Sequence, residues 1–210
     1  MRIVVEIGAN NGEDTAHLLG GADKLYACEP DPELFSGLVA RFADNPKVTL
    51  WPVAIALENG CQNLNISLGE RGINSLHEFH LNLLNTALQK HKVYQDGFQK
   101  KVPVWTARLD TLMALYNIPH IDFLWIDAQG NDLAALKSLG DKIKNVSEGR
   151  CECTYKIPIY DGVDNSYEST IAFLESYGFI HSIDYTHADD SEVDIKFSRQ
   201  FLTYSTEAQS

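Results

Sequence analysis

Basic residues are scarce in this chain: 17 Lys and Arg stand against 29 Asp and Glu, a formal net charge of −12 at pH 7. A surface of that sign repels polyanions at long range, so nucleic acid is not the expected partner. Cysteine is also scarce. The four thiols, Cys28, Cys61, Cys151 and Cys153, form no CxxC pair and have no spaced histidine partner, which argues against a zinc site and for reduced thiols; no metal is assigned. Alternation places Cys151 and Cys153 on one face of a strand, a packing position. No apolar run approaches the ~20 residues of a membrane span. Met1 and Arg2 lead into a strand-like run without a signal-peptide pattern, so a soluble, cytoplasmic protein is expected. Repeats, low-complexity tracts and linkers are missing too. With 210 residues, 44% of them hydrophobic, the chain is expected to form one domain, 1–210, around one core.

What is present is an alternation of strand-like and helix-like runs. "RIVVEIG" reads as a buried strand, "EDTAHLLGG" as a short helix with terminal glycines, and "KLYACE" as a second strand. "PDPELFSGLVARFADN" places Asp31 as N-cap and Pro32 at the first helical position, with Leu34, Phe35, Leu38, Val39 and Phe42 on one stripe. "KVTLWPVAIA" reads as a single third strand. This β-α-β-α-β order implies a doubly wound, mostly parallel sheet with helices on both faces, an α/β fold. From 57 to 108 the rhythm breaks, as expected of an insertion after the third strand that forms a lid or substrate wall. Within it "LNLLNTALQKHK" suggests an amphipathic helix, "KKVPVWTARLD" reads as another strand, and Lys90, Lys92, Lys100 and Lys101 make a basic patch that is either a solvated face or a subsite for an anionic group. Regularity returns with the helix "DTLMALYN" and the central strand "IDFLWID". The helix "NDLAALKSLG" follows, with Asn131 as its N-cap. A further strand holds "RCECTY", "SYESTIAFLESYG" is a helix, "FIHSIDY" and "SEVDIKFS" form an antiparallel pair, and "TYSTEAQS" is a frayed tail.

The loop "GANNG" sits beyond the first strand, where open α/β sheets bind ligands. Asn10 occupies the place of the second glycine of G-x-G-x-x-G, which removes the main support for a pyrophosphate, and no P-loop Lys or Ser/Thr is present. Glu29 ends the second strand, positioned to accept hydrogen bonds from both hydroxyls of a ribose. Glu6, just before the loop, favours a cationic ligand such as an amino group or sulfonium, or else is a strand-end charge. S-Adenosylmethionine combines these parts.

Taken together, "VVEIGANNGEDT", "EPDPELFSGL", "VAIALENG", "TARLDTL" and "IDFLWIDAQGNDLAALKSLG" resemble the FkbM-type S-adenosylmethionine-dependent methyltransferases over most of residues 3 to 180. The resemblance implies a Rossmann-like class I methyltransferase fold and methylation of hydroxyl oxygens. It puts the cofactor loop on Gly8, Ala9, Asn10 and Gly12, the ribose acid on Glu29 and the adenine side near Ala54; Glu6, Asn11, Thr15 and Pro30 complete the expected cofactor site. Two departures stand out. The family's D-x-E-G reads Asp127-Ala128-Gln129-Gly130, an amide for a carboxylate, and the opening acid is Glu6 rather than Asp.

Methyl transfer is an in-line displacement, and a hydroxyl acceptor is helped by a base. Asp127, at the end of the central strand and two strand positions from the loop, is the expected base, with Glu152 second. Asn74, Ser75, His77 and Gln129 are expected on the acceptor side, although His77 and His80 also read as surface-loop histidines. "YDGVDNS" is either a polyol-binding segment or a turn. The expected function is O-methylation of a sugar or glycan-like small molecule. The alternatives are a cofactor-binding module without turnover, in which Gln129 marks lost catalysis, and a nicotinamide oxidoreductase, against which the missing G-x-G-x-x-G argues.

Overall fold

The computed structural model describes residues 1–69, 71–78, 100–184 and 191–199. The expected helix around 81–92, Lys90, Lys92, His80 and the C-terminal tail lie outside the described residues.

Seven strands form the main sheet in the order β3-β2-β1-β7-β8-β10-β9. They are β1 (Ile3–Ile7), β2 (Lys24–Cys28), β3 (Val48–Trp51), β7 (Ile121–Ile126), β8 (Val146–Thr154), β9 (Phe179–Asp184) and β10 (Glu192–Arg199). The first five in this order pair in parallel, and β10 joins β8 and β9 antiparallel, which matches the expected terminal pair. Period-two alternation sends Ile3, Val5 and Ile7 to one face. There they meet α3 (Leu109–Leu115), α4 (Asp132–Lys137) and α5 (Tyr167–Ser176) through Leu112, Leu136 and Leu174. Val4 faces the other way, into a smaller core with Leu38 and Phe42 of α2 (Pro32–Phe42) and Leu18 and Leu19 of α1 (Glu13–Leu19). Asp31 caps α2 as its sequence predicts, accepting from Glu33 N at 2.9 Å. Cys151 and Cys153 are both buried in the larger core, and all four cysteines are free.

"KVTLWPVAIA" is not one strand. Pro52 has no amide hydrogen for a ladder, and the chain changes sheets across it. Before it, β3 pairs with β2; after it, β4 (Val53–Ile55) pairs in parallel with β6 (Lys100–Ala107), which is antiparallel to β5 (Gly60–Ile66). The segment expected as an insertion therefore builds two strands of a second sheet, of which β6 is the strand expected from "KKVPVWTARLD" and β5 was not expected. Ala54, Leu64, Ile66 and Val104 form its own small core.

Candidate functional site

The carboxyl ends of β1, β2 and β7 converge on one cleft, and β4 with β5 walls its far side. The loop after β1 is held by backbone bonds alone at its start: Gly8 N and Ala9 N both donate to Cys28 O, at 3.1 and 2.9 Å. Gly8 has φ +85°, and a Cβ there would lie 1.8 Å from Asp127 O, so only glycine lets the loop cross the end of β7. Asp127 is thus on the strand next to the loop, because β7 pairs directly with β1, and not two strand positions away as expected. Asp127 N donates to Ile7 O at 2.9 Å.

Glu29 is 4% exposed and accepts from Asn10 N and Asp31 N, both at 2.7 Å, one on each carboxylate oxygen. It ties the loop to the start of α2, and each oxygen keeps a further lone pair for a ligand hydroxyl. Glu6 lies under the loop and outside the cleft. It is fully buried, Oε2 accepts from Thr15 Oγ at 2.6 Å, and Oε1 has no partner among the described residues. Thr15 and Ala9 are likewise buried, Ala9 among the side chains of the α1/α2 core. Asn11 Oδ1 accepts from Glu13 N at 3.0 Å, an end-of-helix contact at the start of α1, while Gly12 holds the left-handed N-cap position.

Gly8, Asn10, Glu29, Pro30, Ala54, Asn74, Asp127 and Gln129 all line the cleft. Apolar Val53, Ile55, Leu64 and Leu76 complete the wall around Ala54; the sequence reading missed these four, of which Val53 and Ile55 are signalled by the apolar run after Pro52. One end of the cleft is therefore apolar, and the other carries a carboxylate beside backbone amides, a donor set that fits an adenine and its ribose.

The remaining expected acceptor residues stand behind this lining. Ser75 is buried and donates to Gln129 O at 2.6 Å. His77 is half-buried, not a surface-loop histidine, and its Nε2 meets Asn131 Oδ1 at 3.1 Å; burial lowers its pKa. Asn131 occupies the N-cap position of α4 without capping it, because its side chain is engaged with His77 and, through Nδ2, with Ile55 O at 2.6 Å. Lys100 and Lys101, the described part of the basic patch, pair with Glu33 and Glu78, so they are not free for an anion.

Gln129 joins the two expected catalytic acids. Its Nε2 donates to Asp127 Oδ1 at 2.6 Å and to Glu152 Oε2 at 3.3 Å, and its Oε1 accepts from the Tyr160 hydroxyl at 2.8 Å. Tyr160 opens the "YDGVDNS" segment and was not singled out by the sequence reading; only its polar surroundings pointed there. Behind them Asp132, fully buried, accepts on Oδ1 from Ala128 N and Glu152 N.

Burial, the largest cause in each case, raises the carboxyl pKa of Glu6 and Glu29 to about 7, of Asp127 to about 6 and of Asp132 to about 8, and pushes Glu152 well above its ordinary value. The folded chain then holds these protons more tightly than the unfolded one, so stability falls as pH rises from about 4.5 through about 8. His77 works in the opposite sense, as one group against five; Asp110 and Asp164, held below 3.8, lose their contribution only in stronger acid. The ligand-free chain should accordingly melt at a higher temperature at pH 5.5 than at pH 8. A higher melting temperature at pH 8 would contradict this account of the buried acids.

The family model for the methyltransferase FkbM domain matches residues 6–181. The chain belongs to the FkbM methyltransferase family. FkbM methyltransferases use S-adenosylmethionine, the cofactor that the cleft's donor set fits. Among curated proteins, the 2-O-methyltransferase NoeI of Sinorhizobium fredii is 28% identical over 132 residues, which is 61% of this chain and 53% of that protein. Among solved structures, the methyltransferase FkbM of Methylobacillus flagellatus superposes with a TM-score of 0.57 at 13% identity, covering 93% of this chain and 43% of that one. SMU.1697c from Streptococcus mutans, solved in complex with SAH, gives 0.50 at 10% identity over 94% of this chain and 88% of that one. These likenesses show a shared methyltransferase fold, and the chain spans about half the length of the curated relative it matches. Among the described residues, no helix is long and apolar enough to cross a membrane.

Proposed function

We propose that this FkbM domain is an S-adenosylmethionine-dependent O-methyltransferase acting on a hydroxyl of a sugar or glycan-like small molecule. The observation that carries the reading is that Glu29 and Asp127 line one continuous cleft, so a nucleoside held at the first and a hydroxyl deprotonated at the second meet in the same space. In this reading Glu29 and the Asn10 amide region take the ribose, the Val53–Ile55 and Leu64 wall takes the adenine, and the loop from Gly8 to Gly12 takes the amino-acid end. Glu6 acts from beneath that loop, as an electrostatic support and not as a contact. Bound cofactor supplies the electrophilic methyl group. Asp127 accepts the hydroxyl proton as the acceptor oxygen takes the methyl, and Gln129 and Glu152 bound the acceptor side.

An acceptor that is neutral and hydroxylated suits a cleft whose charged lining is Glu29, Asp127 and an Arg71 already paired with Asp31 and Glu33, and the net charge of −12 speaks against nucleic acid. The 2-O-methyltransferase relative supports oxygen as the target atom. We read residues 57–108 as an insertion within a single domain, 1–210, that supplies the cleft wall through Leu64 and Leu76. Four free cysteines suit a reducing cytoplasm.

Titration calorimetry with S-adenosylmethionine, S-adenosylhomocysteine and NAD tests the cofactor assignment, followed by a screen of polyol acceptors. Tight NAD binding with no S-adenosylmethionine binding would sink it, whereas S-adenosylmethionine binding without turnover across the screen would favour a binding module. Glu29→Ala removes charge-assisted hydrogen bonds worth roughly 1.5–3 kcal/mol each, so affinity should drop by at least ~10-fold. Because the same carboxylate anchors Asn10 and Asp31, the variant should also melt at a lower temperature than wild type.

A further inference from the structure

The environment of Gln129 is built for an amide. The side chain is gripped at both ends: NH2 lies against the carboxylates of Asp127 and Glu152, and Oε1 against the Tyr160 hydroxyl. A flipped amide would turn its oxygen toward Asp127 Oδ1, an acceptor against an acceptor, and its NH2 toward the tyrosine. The backbone is fixed as well. Gln129 has φ +48°, its carbonyl is held by Ser75 Oγ, and the Tyr160 ring lies so close on Gly130 that a Cβ there would be 2.3 Å from Tyr160 Cδ2.

We propose that Tyr160 is a positioning residue for Asp127 that acts through Gln129: its hydroxyl locks the amide so that NH2 always faces the Asp127 carboxylate. The proposal rests on the reading of Asp127 as the base. Locked in this way, the amide favours the ionised carboxylate, the form that accepts a proton, against the burial that disfavours it. A glutamate at position 129 would add a third carboxyl group and, once ionised, would have no proton to donate. The amide thus does what a carboxylate in its place cannot.

Asp127 feels many charges besides. Asp14 on α1, Glu6 on β1, Glu29 after β2, Asp132 on α4, Glu152 on β8 and Asp194 on β10 all raise its pKa or are raised by it, and Arg150 on β8 lowers it. Of these only Glu152 shares the Gln129 amide, so a change of titration on removing the tyrosine hydroxyl reads the relay through Gln129.

The test is a carboxyl 13C NMR titration of the full chain, with the Asp127 signal assigned by its loss in Asp127→Asn. Tyr160→Phe keeps the ring on Gly130 and removes only the hydroxyl. The Asp127 pKa is expected to rise by roughly 0.5 to 1, the equivalent of one weakened hydrogen bond. Gln129→Met removes the amide at similar length and should raise it by at least as much, and the double variant should rise no further than Gln129→Met alone, since the tyrosine then has nothing to act through. An unchanged titration in Tyr160→Phe, or additive shifts in the double variant, would overturn the proposal and leave Tyr160 as packing. Calorimetry with S-adenosylhomocysteine on the same samples keeps the two questions apart. Failure of wild type to bind it would remove the cofactor reading without changing the NMR result.

Discussion

Asp127→Asn is expected to lower methyl transfer ~10²–10⁴-fold while S-adenosylmethionine affinity stays within a few-fold of wild type. The substitution keeps volume and shape but removes the carboxylate that, among the described residues, lines the cleft on the acceptor side and whose pKa of about 6 leaves it largely ionised at neutral pH. Transfer by the wild type should for the same reason weaken as pH falls through about 6, because protonating Asp127 removes the base. Rates measured across pH 5–8 on an acceptor found by the polyol screen check both statements. Normal transfer by the variant would move the base elsewhere, with Glu152 next to test. Equal loss of cofactor affinity and turnover would place Asp127 in the cofactor site.

Gly8→Ala should be the most damaging single methyl addition near the cleft. At φ +85° an L side chain is strained by about 1–2 kcal/mol, and here the added Cβ would also fall 1.8 Å from a backbone oxygen, which cannot rotate away as a side-chain tip can. Relief requires β1 and β7 to part at their carboxyl ends, where Asp127 N donates to Ile7 O. A loss of about 3 kcal/mol or more is expected, read by urea denaturation, together with loss of S-adenosylmethionine binding in whatever fraction remains folded. Wild-type stability in this variant would show that the loop can pass β7 by another path.

The parts of this architecture that were legible in the sequence are those whose information is local. β1, β2 and β7 are short apolar runs stopped by a turn or an acid, and the start of α2 is written in Asp31 and Pro32. Glu29 and Asp127 follow from strand order, because whatever ends a parallel strand faces the crevice. What was not legible depends on partners far along the chain. Asn131 looks like a cap, yet Ile55, 76 positions away, takes its amide, and a tertiary bond overrides the local rule. Tyr160 is 31 positions from Gln129 and comes to it only through the turn after β8. The split at Pro52 was signalled by the proline itself, but the apolar residues on both sides read as one continuous strand. The order β1 beside β7 requires knowing that β2 and β3 stack on the other edge of β1 while β4, β5 and β6 leave the sheet, which no periodicity reveals.

That departure at Pro52 also decides what a bound nucleoside does mechanically. The loop at Gly8 and the acid at Glu29 belong to the main sheet, whereas Ala54 and Leu64 belong to the small core of the second. The cleft is therefore a seam between two sheets that are joined through Ile55 and Ala107 in the larger core, and a ligand that fills it is a further staple across them. Part of its binding free energy is returned as cohesion of the second sheet, the less extensively packed of the two, so cofactor occupancy and the integrity of the cleft wall rise and fall together.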